Sequence, residues 1–114
     1  MRSVAEYVQV LTTVERAEDA ASLARSLIEA RLAACAQIVG PIRSVYRWQG
    51  RIEDAQEWQL LVKTTADLFP DVEAHIRENH DYETPEIIAT PIVAGSASYL
   101  AWISAETDRN GAAS

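Results

Sequence analysis

The chain has 114 residues, 48% of them apolar, and a formal net charge of −7 at pH 7. That length makes one domain able to bury a core without staples, and that composition excludes a disordered chain. Seventeen acids face ten bases, Lys63 is the single lysine and the arginines are scattered, which excludes the basic stripe of a nucleic-acid binder and an affinity for anionic membrane surfaces.

Tyr7–Thr13 is β-branched, aromatic and largely apolar, the composition of an interior strand. A helix opens at Glu15. Thr12 and Glu15 have capping-box spacing, and acids in the first turn suit the helix dipole. Ala20, Leu23, Ala24, Leu27, Ile28 and Leu32 repeat at three- and four-residue steps, and the helix is expected to end near Arg31. Cys35–Val39 reads as a second strand, interrupted at Gly40-Pro41 by a bulge or kink and resumed over Ile42–Trp48. There Ile42, Ser44, Tyr46 and Trp48 share one face. Gln49-Gly50 is a hairpin turn, and the return strand runs to Thr65 with a polar, irregular middle at Glu53–Glu57.

A second helix is expected from about Asp67 to Asn79, with Pro70 tolerated in its first turn and Leu68, Phe69, Val72 and Ile76 buried. Glu86–Val93 is a strand, and Pro91 places it at an edge or near its end. A short third helix follows Gly95-Ser96, with Tyr99, Trp102, Ile103 and Glu106 on one side. The order is β-α-β-β-α-β plus a short C-terminal helix: an α+β, ferredoxin-like split βαβ arrangement. It is read as a single domain over residues 1–107, followed by a disordered tail over 108–114. Two helices cover one sheet face, and the apolar face left over predicts self-association.

The densest polar chemistry lies in Asn79-His80-Asp81-Tyr82-Glu83-Thr84-Pro85-Glu86, between the second helix and the last strand. A loop anchored at both ends positions its side chains for binding; the plainer reading is a solvated loop with proline fixing the strand entry. His80 with Asp81, Glu83 and Glu86 offers nitrogen and oxygen donors suited to Cu(II) or Zn(II), although no pair has the helical spacing of a preformed site. His75 sits within the helix as a surface or boundary residue. Lys63 calls for a carboxylate partner, Glu86 or Glu83, or else lines a cleft for a small anion. Cys35, set between alanines, reads as a packed thiol without the base a nucleophile needs. Tyr46 and Trp48 are assigned to a subunit contact, ahead of stacking on a ligand.

Several pieces come in a recognisable order: Arg31-Leu32-Ala33-Ala34-Cys35, Arg43–Ile52, Leu61-Val62-Lys63-Thr64, His80–Ile88 and Tyr99-Leu100-Ala101-Trp102-Ile103. The chain resembles the CutA family of divalent-cation tolerance proteins, from Val8 to about Glu106. The resemblance implies a ferredoxin-like fold, a tight trimer with sheets edge to edge around a threefold axis, and an architecture similar to PII-type signalling proteins. It also implies a link to copper and other divalent cations. Members implicated in copper binding carry a first-strand cysteine and a His-His pair. Here Thr12 or its neighbour and Asn79 stand at those places, Asp81 replaces a usual proline, and Gln37 replaces a frequent asparagine. His80 is the imidazole that remains.

The expected function is that of a trimeric cytoplasmic protein for metal-ion binding or response to metal ions. Copper or another divalent cation is the implied cofactor, and His80 the metal residue. The alternative is a PII-like sensor of an anion or nucleotide at the subunit interface, with Lys63, Tyr82 and Glu86 as ligand-binding residues. No enzyme is expected, because no catalytic motif and no Gly-rich phosphate loop is found. The cytoplasmic expectation rests on the lone cysteine, the lack of an apolar run of about 18 residues, and a start without a signal peptide's apolar region.

Overall fold

The computed structural model describes residues 6–109. Its elements are β1 (Tyr7–Val14), α1 (Ala17–Glu29), β2 (Cys35–Trp48), β3 (Arg51–Thr65), α2 (Phe69–Glu78), β4 (Ile88–Pro91) and α3 (Ala97–Glu106), with a 3₁₀ turn at Ala66–Leu68 leading into α2. The strands form one antiparallel sheet in the order β2-β3-β1-β4. This is the split βαβ arrangement expected.

Val8, Val10 and Val14 of β1 point to the face covered by α1 and α2. They pack with Leu23 and Leu27 of α1, Val72 and Ile76 of α2, and Leu60 and Val62 of β3. Strand alternation then sends Tyr7, Gln9, Leu11 and Thr13 to the opposite face. Ile28, placed by periodicity on the buried stripe of α1, is instead 40% exposed at the stripe's edge. The capping box does not form. The N-cap of α1 is Arg16, whose side chain makes no cap bond, while Thr12 stays in β1 opposite Leu60.

The opposite face is not bare throughout. Tyr7 shares a 2.7 Å hydrogen bond with Ser104 of α3, Tyr99 of α3 lies against Cys35, and Ile103 is fully buried. So α3 covers one end of that face. At the other end β2 and β3 run on past β1 as a long hairpin. Its turn uses Gln49 and Gly50, both at positive φ (52° and 79°), the left-handed pair a tight hairpin requires. The expected irregular middle of the return strand is regular: Glu53–Glu57 pairs residue by residue with Tyr46–Ile42. A register shift between Val39 and Ile42 marks the expected bulge. Trp58 packs over Gly40 there, so closely that a Cβ on Gly40 would lie 2.5 Å from its ring.

Asp108 and Arg109, the first residues of the expected tail, are placed; Arg109 reaches Asp71 at 3.8 Å. Residues 110–114 of that tail lie outside the described residues.

Candidate functional site

The loop between α2 and β4 is built from the end of α2. Asn79 closes the helix by donating its side-chain amide to the His75 carbonyl at 2.8 Å. β4 pairs with β1 only from Val8 to Leu11, so beyond Leu11 the edge of β1 is met by the loop. His80 makes that contact. Its Nε2 lies 2.7 Å from the Thr13 carbonyl, and its Nδ1 accepts the Tyr82 backbone N–H at 3.1 Å. An acceptor at Nδ1 and a carbonyl at Nε2 fix the neutral ring with its proton on Nε2. The His80 and Tyr82 rings stand 4.7 Å apart.

Tyr82 carries the loop to the next strand. Its hydroxyl donates to Glu57 Oε2 at 2.8 Å. Burial pushes the phenol pKa upward, and the hydrogen bond to Glu57 and its negative charge push it further the same way. Glu57 is only 6% exposed, and no ion pair reaches it among the described residues.

Between this loop and the hairpin lies a cleft of about 660 Å³. Tyr82, Glu83 and Glu86 line it from the loop and Glu57, Tyr46 and Trp48 from the hairpin, and no lysine, arginine or histidine lines it. Tyr82 and Glu86, both expected to bind ligand, meet here, and so do Tyr46 and Trp48. Lys63 does not. It sits opposite Gln9 and Cys35, six positions along β3 from Glu57, or about 20 Å of strand. Its ammonium donates to Gln37 Oε1, so the expected carboxylate partner, Glu83 or Glu86, is replaced by an amide on the neighbouring strand. Within one chain Lys63 is therefore not brought together with Tyr82 and Glu86.

His80, the expected metal residue, has both ring nitrogens engaged in this conformation. Among the described residues no three His, Cys, Asp or Glu side chains group as a metal cage. Cys35 is half-buried and free, next to the Tyr99 hydroxyl, whose pKa is raised by burial and then by the thiol. His75 binds Ser26 Oγ at 2.8 Å across the α1–α2 contact.

Sequence reasoning missed Glu57. Its signal was the period-2 continuation of Lys63, Leu61 and Gln59 down the strand, which sets Glu57 on the open face opposite Ile42.

The family model for the CutA1 divalent ion tolerance protein matches residues 8–106. The chain belongs to the CutA1 family. The divalent-cation tolerance protein CutA of Thermus thermophilus is 46% identical over 98 residues, covering 86% of this chain and 95% of the relative. The chloroplastic CutA protein of Arabidopsis thaliana is 40% identical over 100 residues, covering 88% of this chain but 55% of its own length, so the chain spans about half of that relative. A solved structure of the periplasmic divalent cation tolerance protein CutA from Archaeoglobus fulgidus superposes with a TM-score of 0.87 at 36% identity, covering 90% of this chain and 99% of that one. Two of the four departures expected from the resemblance, Thr12 and Asn79, lie in β1 and at the end of α2. Thr12 is fully buried in the sheet, its hydroxyl oxygen without a partner, and Asn79 closes α2. No helix among the described residues is long and apolar enough to cross a membrane.

Proposed function

We propose that this chain acts as a homotrimer in the response to divalent metal ions, as a binding and assembly protein and not as an enzyme. One observation carries the assembly: the far end of the hairpin, where Val45 is 63% and Ile52 70% exposed beside Tyr46 and Trp48. Apolar side chains gathered on a two-stranded extension suit a contact surface better than a solvated one. β2, fourteen residues long at the sheet edge, offers unpaired backbone to the same contact. Three copies is the number the family resemblance implies. Tyr46 and Trp48 belong to the border of that contact, where the cleft opens.

The reading as a non-enzyme is supported by the lack of a recognisable catalytic motif, and the Ser26–His75 contact at 2.8 Å ties α1 to α2. Divalent cations are the ligand class that the relatives' names support, and copper is the narrower reading from the resemblance. The residues present do not fit a resident metal within one chain. Contact with copper or another divalent ion needs donors from more than one copy, or release of the Tyr82 amide from His80 Nδ1. The free Cys35 supports a cytoplasmic home. Relatives named chloroplastic and periplasmic make the compartment a property of each member.

Native mass spectrometry of protein purified without chelator tests both parts. The expected result is a mass of three chains without stoichiometric metal. A folded, stable monomer overturns the assembly. One metal per chain that survives buffer exchange overturns the assignment of His80 to holding the loop.

A further inference from the structure

Glu57 is a carboxylate 6% exposed, with one hydrogen bond, from Tyr82, and no cation opposite it among the described residues. Ionising a buried carboxyl without a cation beside it is costly, and a bound cation would remove that cost. Glu57 lines the 660 Å³ cleft, within the range of small-molecule sites. Glu83 and Glu86 add negative charge at the rim, and no basic side chain lines it. Farther along the same hairpin face the lining is aromatic: Tyr46 and Trp48, each about two-fifths exposed.

A bare metal ion does not suit this arrangement. The carboxylates are too dispersed to share one ion, since no group of three potential ligands converges among the described residues. Dispersed acids around an aromatic-walled cavity suit a larger cation, whose charge is spread and whose body is apolar. Indole and phenol faces attract such cations through the ring quadrupole. We infer that the cleft between the Tyr82–Glu86 loop and the β2–β3 hairpin binds a small organic cation, an ammonium or guanidinium on an apolar body, with Glu57 as its buried counter-charge and Trp48 as its stacking wall. Its lining residues come from one chain and it does not depend on the metal reading above; because Tyr46 and Trp48 also border the proposed subunit contact, it rests on an assembly that leaves the cleft open.

The test uses the full chain in its native assembly and two probes of one shape: choline, and its uncharged isostere 3,3-dimethylbutan-1-ol. Titration calorimetry should show choline binding at millimolar concentration or better and no binding of the isostere. Glu57→Gln keeps an oxygen for the Tyr82 hydroxyl and removes the charge, so choline affinity should fall about tenfold or more. Glu83→Gln with Glu86→Gln, both exposed, cannot unfold the domain and should cost about threefold, because solvent screens the rim. Native mass spectrometry of each variant reports assembly separately. Equal binding of choline and the isostere overturns the inference, as does a Glu57→Gln variant that binds like wild type. No choline binding by the intact assembly also overturns it, and would mean that another copy's side chain fills the cleft. Zinc that displaces choline with a one-to-one stoichiometry would make the cleft a metal site and overturn it too.

Discussion

Tyr82 and Glu57 meet across the end of β1, phenol to carboxylate, at 2.8 Å. This contact ties the loop to β3 and occupies one oxygen of the buried acid. Removing the hydroxyl leaves that oxygen with no donor. Tyr82→Phe is expected to lower stability by about 1.5–3 kcal/mol, the range for hydrogen bonds to charged groups. Urea denaturation of the two proteins checks it. The same contact sets a pH dependence. The folded phenol's pKa is raised, by burial first and then by Glu57, above its ordinary value of about 10. A raised pKa means folding favours the protonated phenol, so the stabilisation is complete below about pH 10 and is lost as pH rises beyond it. Wild type and Tyr82→Phe should therefore converge in stability above that pH. Parallel curves would show that the phenol's proton plays no part.

His80 is predicted to hold the loop through its neutral ring. His80→Ala loses the links to the Thr13 carbonyl and the Tyr82 amide. The expected cost is about 1–3 kcal/mol. Hydrogen exchange gives the sharper reading: the Tyr82 amide is slow in wild type and fast in His80→Ala, while amides of α1 are unchanged. Nitrogen chemical shifts should report the proton on Nε2. A ring with its proton on Nδ1 would refute the arrangement.

Gly40 is predicted to be intolerant of any side chain. A Cβ would sit 2.5 Å from Trp58 Cε3 and 2.8 Å from Cδ2, and a fused ring cannot yield as a flexible side chain does. Gly40→Ala should cost about 1–3 kcal/mol by overpacking. In a Trp58→Leu background the same change should cost much less, because the ring is gone. A double-mutant cycle measures that coupling, and additive losses would show that the ring does not set the constraint.

How much of this was legible in the sequence follows from what each signal reports. Periodicity reports burial within one element. It found the Leu23–Leu27 stripe of α1 and the strand at Tyr7–Thr13, because the core decides both, while the missing N–H of Pro70 placed that residue in the first turn of α2. It misread Thr12, where capping-box spacing matched by chance and the strand's own pairing with Leu60 won. It placed the third helix after Ser96 but not the surface it packs on, where Ile103 is buried while Tyr99 and Trp102 stay half-exposed. The loop at His80–Glu86 stood out by composition. Its partners did not, since Thr13 and Glu57 are brought to it by strand register and lie 67 and 25 residues away from their bonded partners. Lys63 failed for the same reason: a charge announces that it needs a partner, and only register shows that the partner is Gln37.

Ile52 gives the most discriminating test of assembly. It faces Arg47 across the hairpin and is 70% exposed in the single chain. Were the protein a monomer, Ile52→Glu would replace a solvated apolar side chain by a solvated charge, with an effect within about 0.5 kcal/mol. In the proposed trimer the same side chain lies against another copy, and a glutamate there is desolvated without a partner in each of the repeated contacts. The variant is then expected to dissociate at micromolar concentration, and its unfolding midpoint should rise with protein concentration. Val45→Glu, on the same strip of the hairpin, should behave alike, while Arg25→Glu on the outer face of α1 should leave assembly unchanged. Sedimentation of the three variants over a hundredfold range, about 0.5 to 50 micromolar, separates the cases. Intact trimers in Ile52→Glu and Val45→Glu would remove the hairpin from the interface and, with it, the observation on which the proposed assembly stands.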